Sequence, residues 1–160
     1  MKHLIPLCMI ALFACNEKPK PEKEVEVKPP PDNMQGFYFR MMLDTTGMYQ
    51  SPVQVARASI FNRDQLSNKD IEIVFKNVSD KKITAIRFRW YIINKLGDAA
   101  DINGGITKGF GHGLSEDALE PNMSDTASWE LAANDIYRIA YAFPYEVEFA
   151  DGDQWRCGKY

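Results

Sequence analysis

The sequence predicts an all-β domain, an antiparallel sandwich of two sheets. Three observations support this: apolar and polar residues alternate with a period of two, turn-forming residues separate the alternating segments, and no segment carries the apolar stripe of an amphipathic helix. Many short strands joined by turn-rich connections favour two packed antiparallel sheets over other architectures.

Four segments alternate most clearly. Their alternating apolar positions are Ile71, Ile73 and Phe75; Ile86, Phe88, Trp90 and Ile92; Tyr137, Ile139, Tyr141 and Phe143; and Tyr145, Val147 and Phe149. This pattern is typical of half-buried strands, and we expect Trp90 to fill the space between the sheets. Pro144 lacks a backbone donor, so we expect the last strand to bend or to lie on an edge there.

Further strands are expected at residues 36–43, 53–60 and 126–131. Turn signals separate the strands at 77–81, 97–98, 103–105 and 151–152. The glycine-rich run Gly109–Gly113, which contains His112, is interpreted as a flexible loop, because no strand–helix context makes it a dinucleotide fingerprint.

The N-terminal residues indicate export. Lys2 precedes an apolar run of 11 residues, Leu4–Ala14. That run is too short to span a bilayer, which takes about 20 residues, but it fits the apolar region of a secretory signal. Its end, Leu12-Phe13-Ala14-Cys15, resembles the lipobox of bacterial lipoproteins, although Phe13 departs from the usual small or aliphatic residue. An ordinary secretory signal with a chance cysteine is the alternative.

The lipobox resemblance implies a signal peptide of residues 1–14, which is cleaved before Cys15. Cys15 would then carry a diacylglycerol on its thiol and a fatty acyl chain, such as palmitate, on its new amino group. Asn16 replaces the aspartate that signals inner-membrane retention in enteric bacteria, so the resemblance favours the outer membrane of the envelope.

Residues 15–33 are expected to form a tether. The segment mixes five prolines with Lys and Glu, so it lacks backbone donors and carries charges that cannot be buried. We therefore expect residues 15–33 to be disordered and extended, and residues 34–160 to form the β-sandwich domain.

The domain resembles the FxLYD-like group and related immunoglobulin-like sandwiches over about residues 68–155. The matching positions are Ile71–Asn77, Ser79–Ile83, Ile86–Tyr91, Asn94–Asp98, Trp129 and Phe149–Gly152. The resemblance implies an immunoglobulin-like β-sandwich and carries no catalytic residues to transfer.

Composition narrows the possible chemistry. The formal net charge of -3 gives no support for nucleic-acid binding, which needs a basic stripe. After removal of the signal, His112 is the one histidine and Cys157 the one cysteine besides Cys15, so a histidine-rich zinc site is excluded. Cys157 is interpreted as a small, half-buried apolar residue. A catalytic thiol paired with His112 is the alternative.

Two clusters of acidic side chains also allow more than one interpretation. Asp98, Asp101 and Asn103 hint at calcium, but the spacing fails the EF-hand pattern and a turn is favoured, so we expect no metal or cofactor. Glu146 and Glu148 share a strand face, as paired glycosidase carboxylates would. The favoured interpretation is a solvated face that opposes Arg87 and Arg89 across strands.

Arg87, Arg89 and Tyr91 should share the outer face of one strand and form a possible binding face. An ordinary outer sheet face is the alternative. The sequence thus favours a non-catalytic, membrane-anchored envelope lipoprotein that binds another envelope protein or an extracellular ligand. An envelope hydrolase with an unrecognised acidic site is the second hypothesis.

Overall fold

The computed structural model describes residues 47–63, 69–102, 108–133 and 135–158. They form a 3-10 turn and seven strands: Met48–Gln50, then β1 (Val53–Asn62), β2 (Lys69–Asn77), β3 (Ile83–Ile93), β4 (Phe110–Ser115), β5 (Ser124–Leu131), β6 (Arg138–Phe149) and β7 (Gln154–Arg156). The predicted signal, lipid site, tether, strand at 36–43 and turn at 103–105 lie outside the described residues.

The strands build two antiparallel sheets. Sheet A has the order β1-β2-β5 and sheet B has the order β4-β3-β6-β7. The chain crosses between the sheets after β2, after β4 and after β5. The predicted all-β antiparallel β-sandwich is therefore confirmed, and the expected strands at 53–60 and 126–131 correspond to β1 and β5.

The core lies between the two sheets and follows the predicted alternation of Ile71–Phe75 in β2 and Ile86–Ile92 in β3. The buried side chains of these two strands that form the main core cluster are Ile71, Ile73, Phe75, Ile83, Ile86, Phe88, Trp90 and Ile92. Aromatic rings join the sheets: Phe75 meets Phe88 with ring centroids 4.9 Å apart, and Trp90 meets Trp129 at 5.3 Å. Such tilted ring pairs add to the free energy of area burial.

The interpretation of Gly109–Gly113 as a flexible loop is wrong, because residues Phe110–Ser115 form strand β4. The glycines make room for the two core tryptophans. A Cβ atom on Gly111 would overlap the indole of Trp90, and one on Gly113 would overlap the indole of Trp129. Trp129 also donates a hydrogen bond from Nε1 to the Leu114 carbonyl oxygen at 3.3 Å, which ties sheet A to β4.

Replacing Gly113 with Ala is expected to lower the free energy of unfolding by about 1–3 kcal/mol, because the new methyl group must displace the Trp129 indole. The control is Thr126→Ala on the exposed side of β5, which should change it by less than about 0.5 kcal/mol. Chemical denaturation of both variants measures the difference. Equal stability of the two variants would show that Trp129 does not lie over β4.

The expected alternation of β6 is wrong in its first half. Ile139 and Ala142 pack against the core, whereas Tyr141 and Phe143 face outward opposite Tyr91 and Arg89. The reason is a register shift between Tyr91 and Ile92, which leaves one residue of β6 without a partner and reverses the faces beyond it. Period-two reasoning assumes an unbroken ladder and cannot detect such a bulge.

β6 runs through Pro144 without interruption, and the ladder with β3 shifts register again there, between Arg87 and Phe88. On the other side of β6, β7 pairs with Glu146–Glu148 and does not reach Pro144. The missing proline donor is thus accommodated at a bulge, on a stretch of strand that β7 leaves uncovered.

Candidate functional site

The outer face of sheet B brings together arginine and aromatic side chains from three strands. We call this surface the aromatic–arginine face. Its members are Arg87, Arg89 and Tyr91 of β3, Phe110 and His112 of β4, and Tyr141 and Tyr145 of β6. The three residues predicted from the sequence are therefore all on this face, although they differ in exposure.

Arg87 lies opposite Glu146 in the ladder, as expected, with 3.8 Å between Nε and Oε2. Glu146 also contacts Arg156 of β7, whose Nη2 lies 3.0 Å from Oε1. The largely buried Glu146 carboxylate thus forms ion pairs with two guanidinium groups. Pairs of this kind at a sheet surface orient the side chains more than they stabilise the fold.

Arg89 does not oppose a glutamate. It lies opposite Phe143, and its guanidinium carbon lies 4.3 Å from the centroid of the Tyr145 ring. A cation over an aromatic face is stabilised by the ring quadrupole, and Arg occupies this position more often than Lys. The ring therefore supports the Arg89 guanidinium at the surface and limits the conformations that its side chain can adopt.

Tyr91 is on the predicted face but is buried, with 4% of its surface exposed. Its ring lies between Phe110, at 4.8 Å, and Tyr141, at 6.5 Å. Burial raises the pKa of the Tyr91 phenol, and the nearby Asp98 carboxylate adds to that rise. Tyr91 is therefore a support for the face, and a partner would not contact much of it.

Tyr141 is the exposed aromatic residue of this face and was missed by the sequence prediction. It is 47% exposed, and its ring stacks on Tyr91 at an interplanar angle of 29°. Its outward position depends on the register shift in β6, which has no signature in the sequence. Tyr141 is identified as a member of this face by its pairing with Tyr91 across the β3–β6 ladder.

The alternative of a dyad between Cys157 and His112 is contradicted by the strand order. His112 is exposed on β4, whereas Cys157 is buried directly after β7. β4 and β7 are the two opposite edges of sheet B, so three strand spacings, roughly 14 Å, separate them. The Cys157 thiol is buried, in keeping with its interpretation as a small apolar residue.

Within the described residues, no group of three or more His, Cys, Asp or Glu side chains is placed to hold a metal ion. Asn103, part of the calcium alternative, lies outside them. Asp101 lies 4.0 Å from the Lys108 ammonium group, and its backbone N–H donates to the Asp135 carboxylate at 3.0 Å.

A groove of 210 Å³ lies where β1 meets β6. It is lined by Met48, Ser51, Val53, Gln54, Val55, Ala142, Phe143 and Pro144. Among the described residues, this lining contains no carboxylate or other titratable side chain, and Glu146 and Glu148 lie elsewhere on sheet B. The described lining therefore supplies no acid–base pair of the kind that a hydrolase with an acidic site requires.

None of the helical structure in the described ranges is long and apolar enough to cross a membrane.

The fold has a counterpart among solved structures. The chain is similar to the crystal structure of a hypothetical protein from Peptoclostridium difficile 630, with a TM-score of 0.52 and 10% sequence identity. The similarity covers 66% of this chain and 86% of that chain. At this identity it shows a shared fold and nothing further. No protein-family model and no curated protein matches the sequence.

Proposed function

We propose that this chain is a non-catalytic, lipid-anchored lipoprotein of the bacterial envelope whose β-sandwich binds a partner through the aromatic–arginine face. The observation that carries the proposal is the arrangement on that face: an exposed tyrosine stacked on a buried one, beside an arginine supported by another tyrosine ring. Tyr and Arg are, with Trp, the residue types enriched at the energetic centres of protein interfaces.

The rigidity of the face supports binding. Tyr91, held between Phe110 and Tyr141, limits the conformations of the exposed ring before any partner arrives. The Tyr145 ring does the same for Arg89. Side chains that are ordered in advance lose less conformational entropy on association, so more of the contact energy appears as affinity.

We further propose that the sandwich is immunoglobulin-like. With β1 to β7 taken as strands A, B, C, C′, E, F and G, the sheet orders β1-β2-β5 and β4-β3-β6-β7 become A-B-E and C′-C-F-G. Trp90 then occupies the place on strand C where immunoglobulin-like domains carry a buried tryptophan. The role of this domain in the proposal is that of a rigid support for a surface.

The anchor places that surface in the envelope. Cys15 would hold the lipid, and residues 15–33, if extended at about 3.1 Å per residue, would let the domain reach roughly 60 Å from the membrane. Several acyl chains on one residue give a far more durable attachment than a single chain, since each buried methylene contributes about 0.8 kcal/mol.

Replacing Cys15 with Ser is expected to abolish lipid attachment, because the thiol is the acceptor atom. Metabolic labelling with a clickable fatty acid, followed by gel fluorescence, measures the effect. Cys157→Ser is the matched control and should keep the full label, since Cys157 is buried in the domain. Undiminished label in the Cys15 variant would contradict the anchor.

The binding proposal is tested by crosslinking in the native envelope and recovery of the tagged full chain. The double variant Arg87→Ala/Tyr141→Ala removes two exposed groups of the aromatic–arginine face. Recovery of the crosslinked partner should fall about tenfold or more, the loss expected when interface anchors are truncated.

The control variant is Thr126→Ala/Ser128→Ala, which removes two exposed groups from the outer face of sheet A. It should recover the partner as the unmodified chain does. If both variants lose the partner equally, or neither loses it, the aromatic–arginine face is not the binding surface.

A further inference from the structure

Among the residues of its described strands, the cations that sheet B directs outward are all arginines. The charged side chains that its strands direct outward are Arg87, Arg89, Arg138 and Arg156, with Glu146 and Glu148. Four of the seven arginines in the sequence thus lie on this face, while none of the twelve lysines falls within the strands of sheet B. Within these strands, four arginines against two glutamates leave a formal excess of two positive charges, although the chain as a whole is at -3. The Asp98 carboxylate, near Tyr91 in the turn after β3, offsets one of them.

The outer face of sheet A has the opposite balance. Its strands direct outward Arg57 and Lys76, together with Asp70, Glu72 and Glu130. Ion pairs join charges on both faces: Arg57 pairs with Glu72 at 2.6 Å and Arg63, just beyond β1, pairs with Asp70 at 2.6 Å, as Glu146 pairs with Arg87 and Arg156 on sheet B. The difference between the faces is the balance of charges, since the strands of sheet A direct three carboxylates and two cations outward.

We infer that the ligand of the aromatic–arginine face is an acidic polypeptide surface, rich in Asp and Glu carboxylates. This inference rests on the proposed function and names the chemistry of its partner. The guanidinium group matches a carboxylate through two parallel N–H···O bonds, a geometry that the lysine ammonium group cannot offer. Charge complementarity of this kind speeds encounter and disfavours basic partners.

The exposed groups favour a polypeptide over an acidic polysaccharide or a lipid surface. A sugar chain would use several open aromatic rings as stacking platforms, but Tyr141 is the one exposed tyrosine or phenylalanine among the members of the face named above, and the Tyr145 ring lies under Arg89. A basic surface for anionic lipids would use lysine as readily as arginine. Protein interfaces are enriched in arginine and tyrosine and depleted in lysine, as this face is.

The test measures fluorescence anisotropy of three labelled probes with the detergent-solubilised full chain at low salt: an oligoglutamate peptide, an oligogalacturonate and glycerol 3-phosphate. We expect the oligoglutamate peptide to bind most tightly. Arg87→Glu, and independently Arg156→Glu, should weaken that binding about tenfold, because each reverses a charge beside the ligand. Arg57→Glu on sheet A should change it by less than about twofold.

Oligoglutamate binding that both sheet B variants leave unchanged, or tighter binding of either other probe, would overturn the inference. The proposed function would survive either result, because recovery of a crosslinked partner through Arg87 and Tyr141 does not depend on the partner's charge. If instead the Arg87→Ala/Tyr141→Ala variant recovered the crosslinked partner as well as the unmodified chain does, the proposed function itself would be contradicted.

Discussion

Replacing Trp90 with Ala is expected to lower the free energy of unfolding by about 3–5 kcal/mol. Trp90 is 2% exposed, and its ring packs against Trp129 from the opposite sheet at 5.3 Å. Its indole also covers the backbone of Gly111 on the neighbouring strand. Alanine would leave a cavity between the sheets that Trp129 and strand β4 cannot fill. The expected loss of free energy is a large fraction of a typical domain's stability.

Arg89→Ala is the matched control, because it changes the neighbouring residue on the opposite face of the same strand. The loss there is a cation–π contact at the surface, so the expected cost is within about 1 kcal/mol. Denaturant unfolding of both variants gives the comparison. If Arg89→Ala lowered the free energy of unfolding more than Trp90→Ala, the inner and outer faces of β3 would be reversed. The assignment of the aromatic–arginine face to the surface would then be wrong.

Replacing Asn77 with Ala is expected to cost about 2–4 kcal/mol. The Asn77 side chain is fully buried where β2 ends, and it makes four hydrogen bonds there. Its Nδ2 donates to the carbonyl oxygens of Lys81 at 2.8 Å and Leu119 at 3.1 Å. Its Oδ1 accepts from the backbone N–H of Ser79 at 2.9 Å and from the Ser79 hydroxyl at 2.7 Å.

The control is Asn94→Ala, which removes the same residue type from a similar turn after β3. There Oδ1 accepts from the backbone N–H groups of Leu96 at 2.9 Å and Asp98 at 3.1 Å, but water can replace these exposed bonds. Its expected cost is within about 1 kcal/mol. Thermal unfolding of the two variants measures the difference, and equal costs would show that burial of Asn77 does not matter.

The core positions Ile71–Phe75 of β2 and Ile86–Ile92 of β3 could be predicted because the extra residues in their ladders lie outside these stretches, in β1, in β6 and at Thr84. Ile71, Ile73 and Phe75 point inward as their alternation predicts, and Phe88 and Trp90 do the same. β4 could not be predicted, because two of its three inward positions, Gly111 and Gly113, are glycines. Their role is visible only once the tryptophans of two other strands lie over them.

The candidate site was predicted in part, for a similar reason. Arg87 and Arg89 follow from the alternation of a single strand. The position of Tyr141 depends on an extra residue in β6 and on pairing with Tyr91 about fifty residues earlier, so local sequence carries no signal for it. The burial of Tyr91 likewise depends on Phe110 of β4, a segment whose glycines predict a loop.

The central claim is that one face of the sandwich meets a partner and the other does not. A photoreactive benzoylphenylalanine placed at position 141 in the full chain, in cells that produce the protein, tests this directly. Position 126, on the outer face of sheet A, is the matched exposed control. We predict a discrete crosslinked adduct at position 141 on irradiation and none at position 126. An adduct at position 126 alone, or equal adducts at both positions, would contradict the claim.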